Sequence, residues 1–327
     1  MILATLLASA VLQGPFPLLV PPYDAEGRID TPVLLKEADY VVAQGVGGII
    51  WPSAGAVEAI AASGGYEASV KALAEHAVKA GYKVPVVAVC SGTNSAAAVA
   101  RVAAVERIAK ETGAKMAILA RPNDDAKDQE AMLEHYRAIG RTTTLPVIVQ
   151  TYNGKSPQPS VENLVRLMKE FPEVYGYVKE ESPGLQVNDR MREILSHPET
   201  KGVFSGWGGK GWAYQGTQIG TCGVISQRPA YASLFVKIYE RMKAGADSSD
   251  PELEDAYTKY LLMANLGDVF SSWGDDEMGG PHLYVLQRLG VFTHRYVLEA
   301  PGKVKEYEMS EGERREIEAR MKYVFGK

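Results

Sequence analysis

Eight short runs of β-forming apolar residues recur along the 327-residue chain, with amphipathic segments between them. The runs fall at 17–20, 48–51, 84–89, 116–119, 146–150, 174–179, 202–204 and 223–226. Most start about 30 residues after the previous one, the length of one βα unit. Helical spacing covers 31–44, 66–80, 94–112, 128–141, 160–170 and 186–196. Ser160 reads as an N-cap, and Gly45, Gly81 and Gly113 sit where helix C-terminal glycines belong. Continuous apolar strands alternating with helices imply a parallel sheet covered on both faces. Eight such units imply a closed (β/α)8 barrel before an open doubly wound sheet. The 32 glycines suit the many tight turns this requires.

After Ser226 the pattern changes. A helix is expected over 231–243, a polar linker over 245–250, and from Pro251 onward helices alone, over 252–266, 281–289 and 311–324. The fold class expected is therefore α/β, a (β/α)8 TIM barrel at residues 1–244 with a C-terminal helical domain at 245–327. The apolar residues 1–11 end in Ala8-Ser9-Ala10 but lack a basic start, and read as a first helix or cover under the fold. No run approaches the roughly 20 residues of a membrane span. The expected setting is soluble and cytoplasmic, with no membrane partner. With 35 basic and 40 acidic side chains, the net charge of −5 carries no nucleic-acid footprint. Two cysteines make no disulfide framework, and five scattered histidines make no zinc pattern, so no metal site is expected.

In a barrel the chemistry lies at the C-terminal strand ends. These read Trp51-Pro52-Ser53-Ala54-Gly55, Arg121-Pro122-Asn123-Asp124, Gln150 followed by Tyr152, Lys179-Glu180-Glu181, Ser205-Gly206 and Ser226. Lys179 stands out. It closes an apolar strand, and period-two alternation puts it on one face with Tyr177 and Tyr175. An amine among apolar walls has its charged form disfavoured and becomes a nucleophile for carbonyl substrates. The resulting iminium is an electron sink for carbon–carbon cleavage or proton loss. The competing reading is a surface lysine paired with Glu180 or Glu181.

From about Pro15 to about Tyr323 the chain resembles the dihydrodipicolinate synthase / N-acetylneuraminate lyase family of class I Schiff-base aldolases. The residues that carry the resemblance run in order. Pro22-Tyr23-Asp24 with Gly27, Ile29 and Asp30 looks like the opening turn. Gly45-Val46-Gly47-Gly48-Ile49 looks like the approach to strand two. Val84 to Ala88 and Gly92-Thr93-Asn94-Ser95 match the strand-three region, and Leu145-Pro146-Val147-Ile148 the start of strand five. Val178-Lys179-Glu180-Glu181-Ser182 matches the Lys-Glu-x-Ser around the Schiff-base lysine, and Ser205-Gly206 and Gly223 to Ser226 match strands seven and eight. The resemblance implies a lyase on pyruvate or another 2-oxo acid, with a covalent imine on Lys179 and no cofactor. It also implies a homo-oligomer, dimer or tetramer.

The departures are as informative. The family's carboxylate-binding Gly-Thr-Thr-Gly-Glu falls on Pro52 to Ala56, where Ser53 keeps a hydroxyl, Ala54 has lost one, and the turn to Gly55 still offers backbone N–H groups. The tyrosine pair after strand four falls on Asn123 and Asp124. The catalytic tyrosine of strand five falls on Gln150, with Tyr152 as a substitute if the strand bulges. Lys155 replaces an arginine, a point charge for a fork. Catalysis is expected from Lys179, Tyr152 and Gln150. Substrate binding is expected from Ser53, Ala54, Gly55, Asn123, Asp124, Lys155, Ser205, Trp207 and Ile225.

The loop Gly206-Trp207-Gly208-Gly209-Lys210-Gly211 fits Gly-x-Gly-x-x-Gly, but no clear helix and no acidic residue about 20 positions on complete a dinucleotide fingerprint. It reads as a lengthened loop, with Trp207 for stacking and Lys210 for an anion, or as a structural glycine turn. Val149 stands where a Walker glycine would precede Gly154-Lys155-Ser156. Asp275-Asp276-Glu277 reads as a solvated loop, and His76, His135 and His197 as surface residues. His282 and His294 have no visible triad partner. Cys222 reads as core, and Cys90 as a candidate to line the mouth. Arg121, Trp207 and Lys210 would also suit a sugar-acid dehydratase or a hydratase-aldolase using the same lysine. Loss of the tyrosines would suit a decayed barrel that binds 2-oxo acids without turnover.

Overall fold

The computed structural model describes residues 11–266 and 280–326, apart from positions 54, 153, 155, 227 and 301. Residues 1–10 and the acidic run at 275–277 lie outside the described residues. Eight parallel strands form one sheet: β1 (Gly14–Pro17), β2 (Ile49–Trp51), β3 (Val86–Val89), β4 (Met116–Ala120), β5 (Val147–Gln150), β6 (Tyr177–Glu180), β7 (Gly202–Ser205) and β8 (Gly223–Ser226). The order is β1-β8-β7-β6-β5-β4-β3-β2. A parallel bridge between Leu18 and Ile50 joins the two ends and closes the barrel. Leu19 N–H donates to Ile50 O at 2.9 Å across this seam.

The first strand starts three residues earlier than the apolar run suggests. Pro15 and Pro17 argue against a strand, since neither has an N–H. They fall on alternate positions, however, and the β8 ladder takes its donors from Gly14 N and Leu18 N, both at 2.8 Å. Leu12, buried at the N-terminal end of the barrel, donates its N–H to Tyr177 Oη at 3.1 Å. Phe16 and Phe204 meet edge-to-face at 5.1 Å inside, and Ile225, the ladder partner of Phe16, is in the same interior core.

The outer helices are α1 (Thr31–Val42), α2 (Val57–Ala62), α3 (Gly65–Ala80), α4 (Ser95–Thr112), α5 (Gln129–Thr142), α6 (Val161–Glu170) and α7 (Gln186–Leu195). Four of them, α1, α4, α5 and α6, start at a short polar cap: Asp30, Asn94, Asp128 and Ser160 each accept a backbone N–H from the first turn. Gly81 and Gly113 end α3 and α4, each at φ 70°. The short α2 is an addition to the expected pattern. A helical turn, α8 (Trp212–Tyr214), and a π-helical turn at 215–219 follow the glycine-rich loop, where no helix is expected.

Beyond β8 come α9 (Ala232–Lys243), α10 (Pro251–Ala264), α11 (Pro281–Arg288) and α12 (Glu311–Phe325). The expectation of helices alone is wrong here. An antiparallel hairpin of β9 (Tyr296–Ala300) and β10 (Lys303–Glu306) stands between α11 and α12. The sequence between its strands carries Pro301-Gly302, a turn signal that the helical reading passed over. A second core joins this tail to the barrel: Trp212, Tyr231 and Phe235 pack with Tyr260, Leu283 and Met321. Phe235 and Tyr260 are its tightest ring pair, 4.4 Å apart.

Candidate active site

Lys179 is the third residue of β6, with Gln150 of β5 and Phe204 of β7 as ladder partners. It is 4% exposed. Its walls are not simply apolar, as the burial argument assumes. Nζ stands 2.8 Å from Oε1 of Glu181. Glu181 lies two residues on, so strand alternation gives it the same face. Glu180 takes the opposite face, where it accepts from Thr151 Oγ1 at 3.2 Å and Ser182 N at 2.7 Å and pairs with Arg190 at 3.3 Å. The amine therefore has a carboxylate partner, but a buried one and not at the surface.

Three donors converge on Glu181. Besides the amine, Trp207 N–H donates to Oε1 at 3.1 Å and Gln150 Nε2 to Oε2 at 2.8 Å. The loop after β7 makes room for this. A Cβ on Gly206 would lie 2.1 Å from Glu181 Cγ, so only glycine fits. Trp207 then adopts φ 49°, a left-handed conformation that costs a bulky residue energy. It is over-determined by its backbone bond to Glu181 and by Nε1 donating to Ser182 O at 3.2 Å. Tyr260 Oη also donates to Gly208 O, and Tyr257 Oη to Lys210 O, pinning the loop from α10. Lys210 itself is exposed.

Gln150, expected where the resemblance places a catalytic tyrosine, faces the lysine through Glu181. Tyr152 stands at the rim, its ring 5.4 Å from that of Trp207. Its hydroxyl makes no hydrogen bond to Lys179 or Glu181 among the described residues. Asn123 is buried after β4, and Asp124 acts electrostatically on Arg121 beside it. Burial pushes the Arg121 guanidinium below its ordinary range, with Asp124, Glu58 and Glu181 opposing that shift. Ser53 Oγ, Ser91 Oγ and Asn123 Oδ1, at the ends of β2, β3 and β4, are buried with no hydrogen-bond partner among the described residues. Such orphaned groups near one strand-end rim mark a place where a polar ligand would be satisfied.

Other expected residues are placed elsewhere. Ser205 is the ladder partner of Glu180 and gives its hydroxyl to Gln215 Oε1, away from Lys179. Ile225 is a barrel-core residue. Gly55 is exposed, and Ala54 and Lys155 lie outside the described residues. Tyr175 does not share the lysine's face. Gly176, at φ 151°, turns the chain before β6, and Tyr175 Oη donates to Tyr136 O among the outer helices. Cys90 turns away from the mouth to Tyr66 Oη, 3.5 Å from its sulfur.

His135, expected at the surface, is buried behind the rim. Burial lowers it to about 4, so the ring is neutral near pH 7. Its Nε2 lies 3.3 Å from Arg121 O, which can only accept, so Nε2 carries the proton. Nδ1 then accepts from Ser95 Oγ at 3.0 Å, and Ser95 Oγ accepts from Asn123 Nδ2 at 3.3 Å. The chain of bonds fixes the amide of Asn123 and leaves its Oδ1 open. Glu181, His135 and Ser91 are thus site groups that the sequence pattern did not assign.

Fold and site define a class: a closed (β/α)8 barrel with a buried amine on the sixth strand and a ring of polar groups at the strand ends. Residues 11–262 match the model of the dihydrodipicolinate synthetase family, and the chain belongs to that family. It is 26% identical over 196 residues to the 4-hydroxy-tetrahydrodipicolinate synthase of Neisseria meningitidis serogroup B, covering 60% of this chain and 64% of that protein. The match therefore spans less than two thirds of that relative's length. Dihydrodipicolinate synthase from Aquifex aeolicus superposes with a TM-score of 0.75 at 17% identity, covering 96% of this chain and 98% of its own. A prophage protein of the dihydrodipicolinic acid synthase family from E. coli K12, solved in complex with pyruvate, gives a TM-score of 0.77 at 15% identity, covering 97% and 99%. At these identities the two structures speak for the fold.

Proposed function

We propose that the chain is a Schiff-base lyase of the class I aldolase type, acting on pyruvate or another 2-oxo acid. The observation that carries the reading is the buried Lys179 amine at the C-terminal end of β6, paired with Glu181, which in turn is held by Gln150 of β5 and by Trp207 after β7. In this reading the amine adds to the 2-oxo carbon, water leaves, and the iminium draws electrons from the neighbouring carbon. No external cofactor is required, since the protonated imine is itself the electron sink. The substrate carboxylate would meet the turn at Ser53, with Arg121 supplying positive charge, while the open Oδ1 of Asn123 would accept from a substrate hydroxyl. The same proposal keeps the barrel at residues 1–244 and the helical domain at 245–327, with α9 packed between the two cores.

Borohydride reduction in the presence of pyruvate, followed by mass spectrometry, tests the reading. A covalent adduct on Lys179 supports it. Pyruvate binding without an adduct would favour a decayed binding barrel instead. The Tyr152–Trp207 ring pair at the rim favours a second reading, a hydratase-aldolase whose substrate carries an aromatic group. Product analysis over a panel of 2-oxo acids separates it from an aldolase of small acids.

A further inference from the structure

We infer that Glu181 is the proton carrier of this site, a catalytic residue that does the work of the tyrosine missing at Gln150. The assignment rests on the Schiff-base reading above and deepens it. Glu181 Oε1 is 2.8 Å from the reacting nitrogen, within direct proton-transfer reach. Gln150, where a hydroxyl is lost, instead donates to the carboxylate's other oxygen. The missing glycine side chain at 206 and the left-handed Trp207 both serve to seat that carboxylate. A surface ion pair would need neither device.

The proton cycle balances. The carboxylate takes a proton from the ammonium, leaving a neutral amine beside a neutral acid. The nitrogen lone pair forms the bond to the 2-oxo carbon, the carbonyl π pair moves to oxygen, and a nitrogen-bound proton passes to that oxygen. Glu181 then gives its proton to the carbinolamine hydroxyl. The C–O bond breaks, water leaves, and an iminium faces a carboxylate again. The carboxylate next removes a proton from the C3 carbon. The C–H pair becomes the enamine double bond, and the iminium π pair returns to nitrogen. In the resting pair, after each transfer involving Glu181, and in the enamine, lysine and glutamate together carry no net charge. That suits a pair only 4% and 7% exposed.

The test compares Glu181→Gln with the full-length wild type, using pyruvate, sodium borohydride and D2O. Exchange of the pyruvate methyl protons, followed by NMR, should slow by at least about 100-fold in the variant, the usual worth of a general base. The imine should still be trapped at Lys179 after long incubation, which a collapsed site would not allow. Exchange within about threefold of wild type overturns the assignment. A wild type that is never trapped removes the Schiff-base reading, and this assignment with it. Should Glu181→Gln not fold, the trapped wild-type adduct decides. A crystal structure should place a Glu181 oxygen about 3.5 Å from C3, and a carboxylate turned away from both C3 and nitrogen overturns the proposal.

Discussion

Glu181 lies two residues beyond Lys179 on one face of the sixth strand, its Oε1 2.8 Å from the lysine Nζ. Two consecutive acids follow the lysine, and the strand's alternation sorts them. Glu180 belongs to the outer layer, while Glu181 belongs to the barrel mouth.

Removing one partner of a buried pair leaves the other uncompensated. Lys179→Met should abolish borohydride trapping and lower stability by about 3 kcal/mol, read from urea unfolding. Glu181 keeps donors from Gln150 and Trp207, so the loss stays near the low end of that range. The double variant Lys179→Met/Glu181→Gln should recover much of the stability and none of the trapping.

Trp207 joins the site by its backbone and the rim by its ring. In Trp207→Ala the backbone N–H remains for Glu181, while the ring contact with Tyr152 is lost. Imine formation with pyruvate should therefore change by less than about tenfold, and KM for a bulky acceptor should rise by about tenfold. Steady-state kinetics over acceptors of graded size would show it.

His135 gives a pH dependence of known sign. In the folded chain it stays neutral down to about 4, whereas in the unfolded chain it titrates near 6.5. Between those values the unfolded chain binds the extra proton. Stability from this group is full above pH 6.5 and is lost as pH falls toward 4, by up to about 3 kcal/mol. His135→Gln should flatten that part of the profile in urea melts from pH 7.5 to 4.5.

Glu37 gives the opposite slope. It is fully buried on α1, accepts Val20 N–H at 2.9 Å, and has a second oxygen with no hydrogen-bond partner among the described residues. Burial holds its carboxyl well above the ordinary range. Its contribution is full below the unfolded value of 4.5 and is lost as pH rises toward the folded value. Over that window wild type should lose about 1.4 kcal/mol per pH unit relative to Glu37→Gln, in the same melts.

The barrel was legible because most of its strands are apolar runs bounded by turn residues, and four of its outer helices open on a side-chain cap. The hairpin at 296–306 was not, because its short amphipathic strands bury little and resemble exposed helix. Lys179 was legible as the polar end of an apolar strand. Its partner was readable by the same alternation, which puts Glu181 and not Glu180 on the lysine's face; the burial of the pair was not, because it depends on the loop after β7 closing over Glu181. Gly176 interrupts the alternation just upstream of β6. The same glycine sends Tyr175 outward. His135 carried a readable signal: it lies three positions from Met132 and four from Ile139, both on the buried face of α5. A polar residue on that stripe belongs to the interior and needs hydrogen-bond partners, which Ser95 and Arg121 O supply.

A covalent imine on Lys179 is read out by peptide mapping of the pyruvate–borohydride product. One reduced pyruvyl adduct is expected, on the peptide carrying Lys179, and none in Lys179→Met. An adduct on another lysine, or an unmodified Lys179 while a control aldolase is fully trapped, would contradict it.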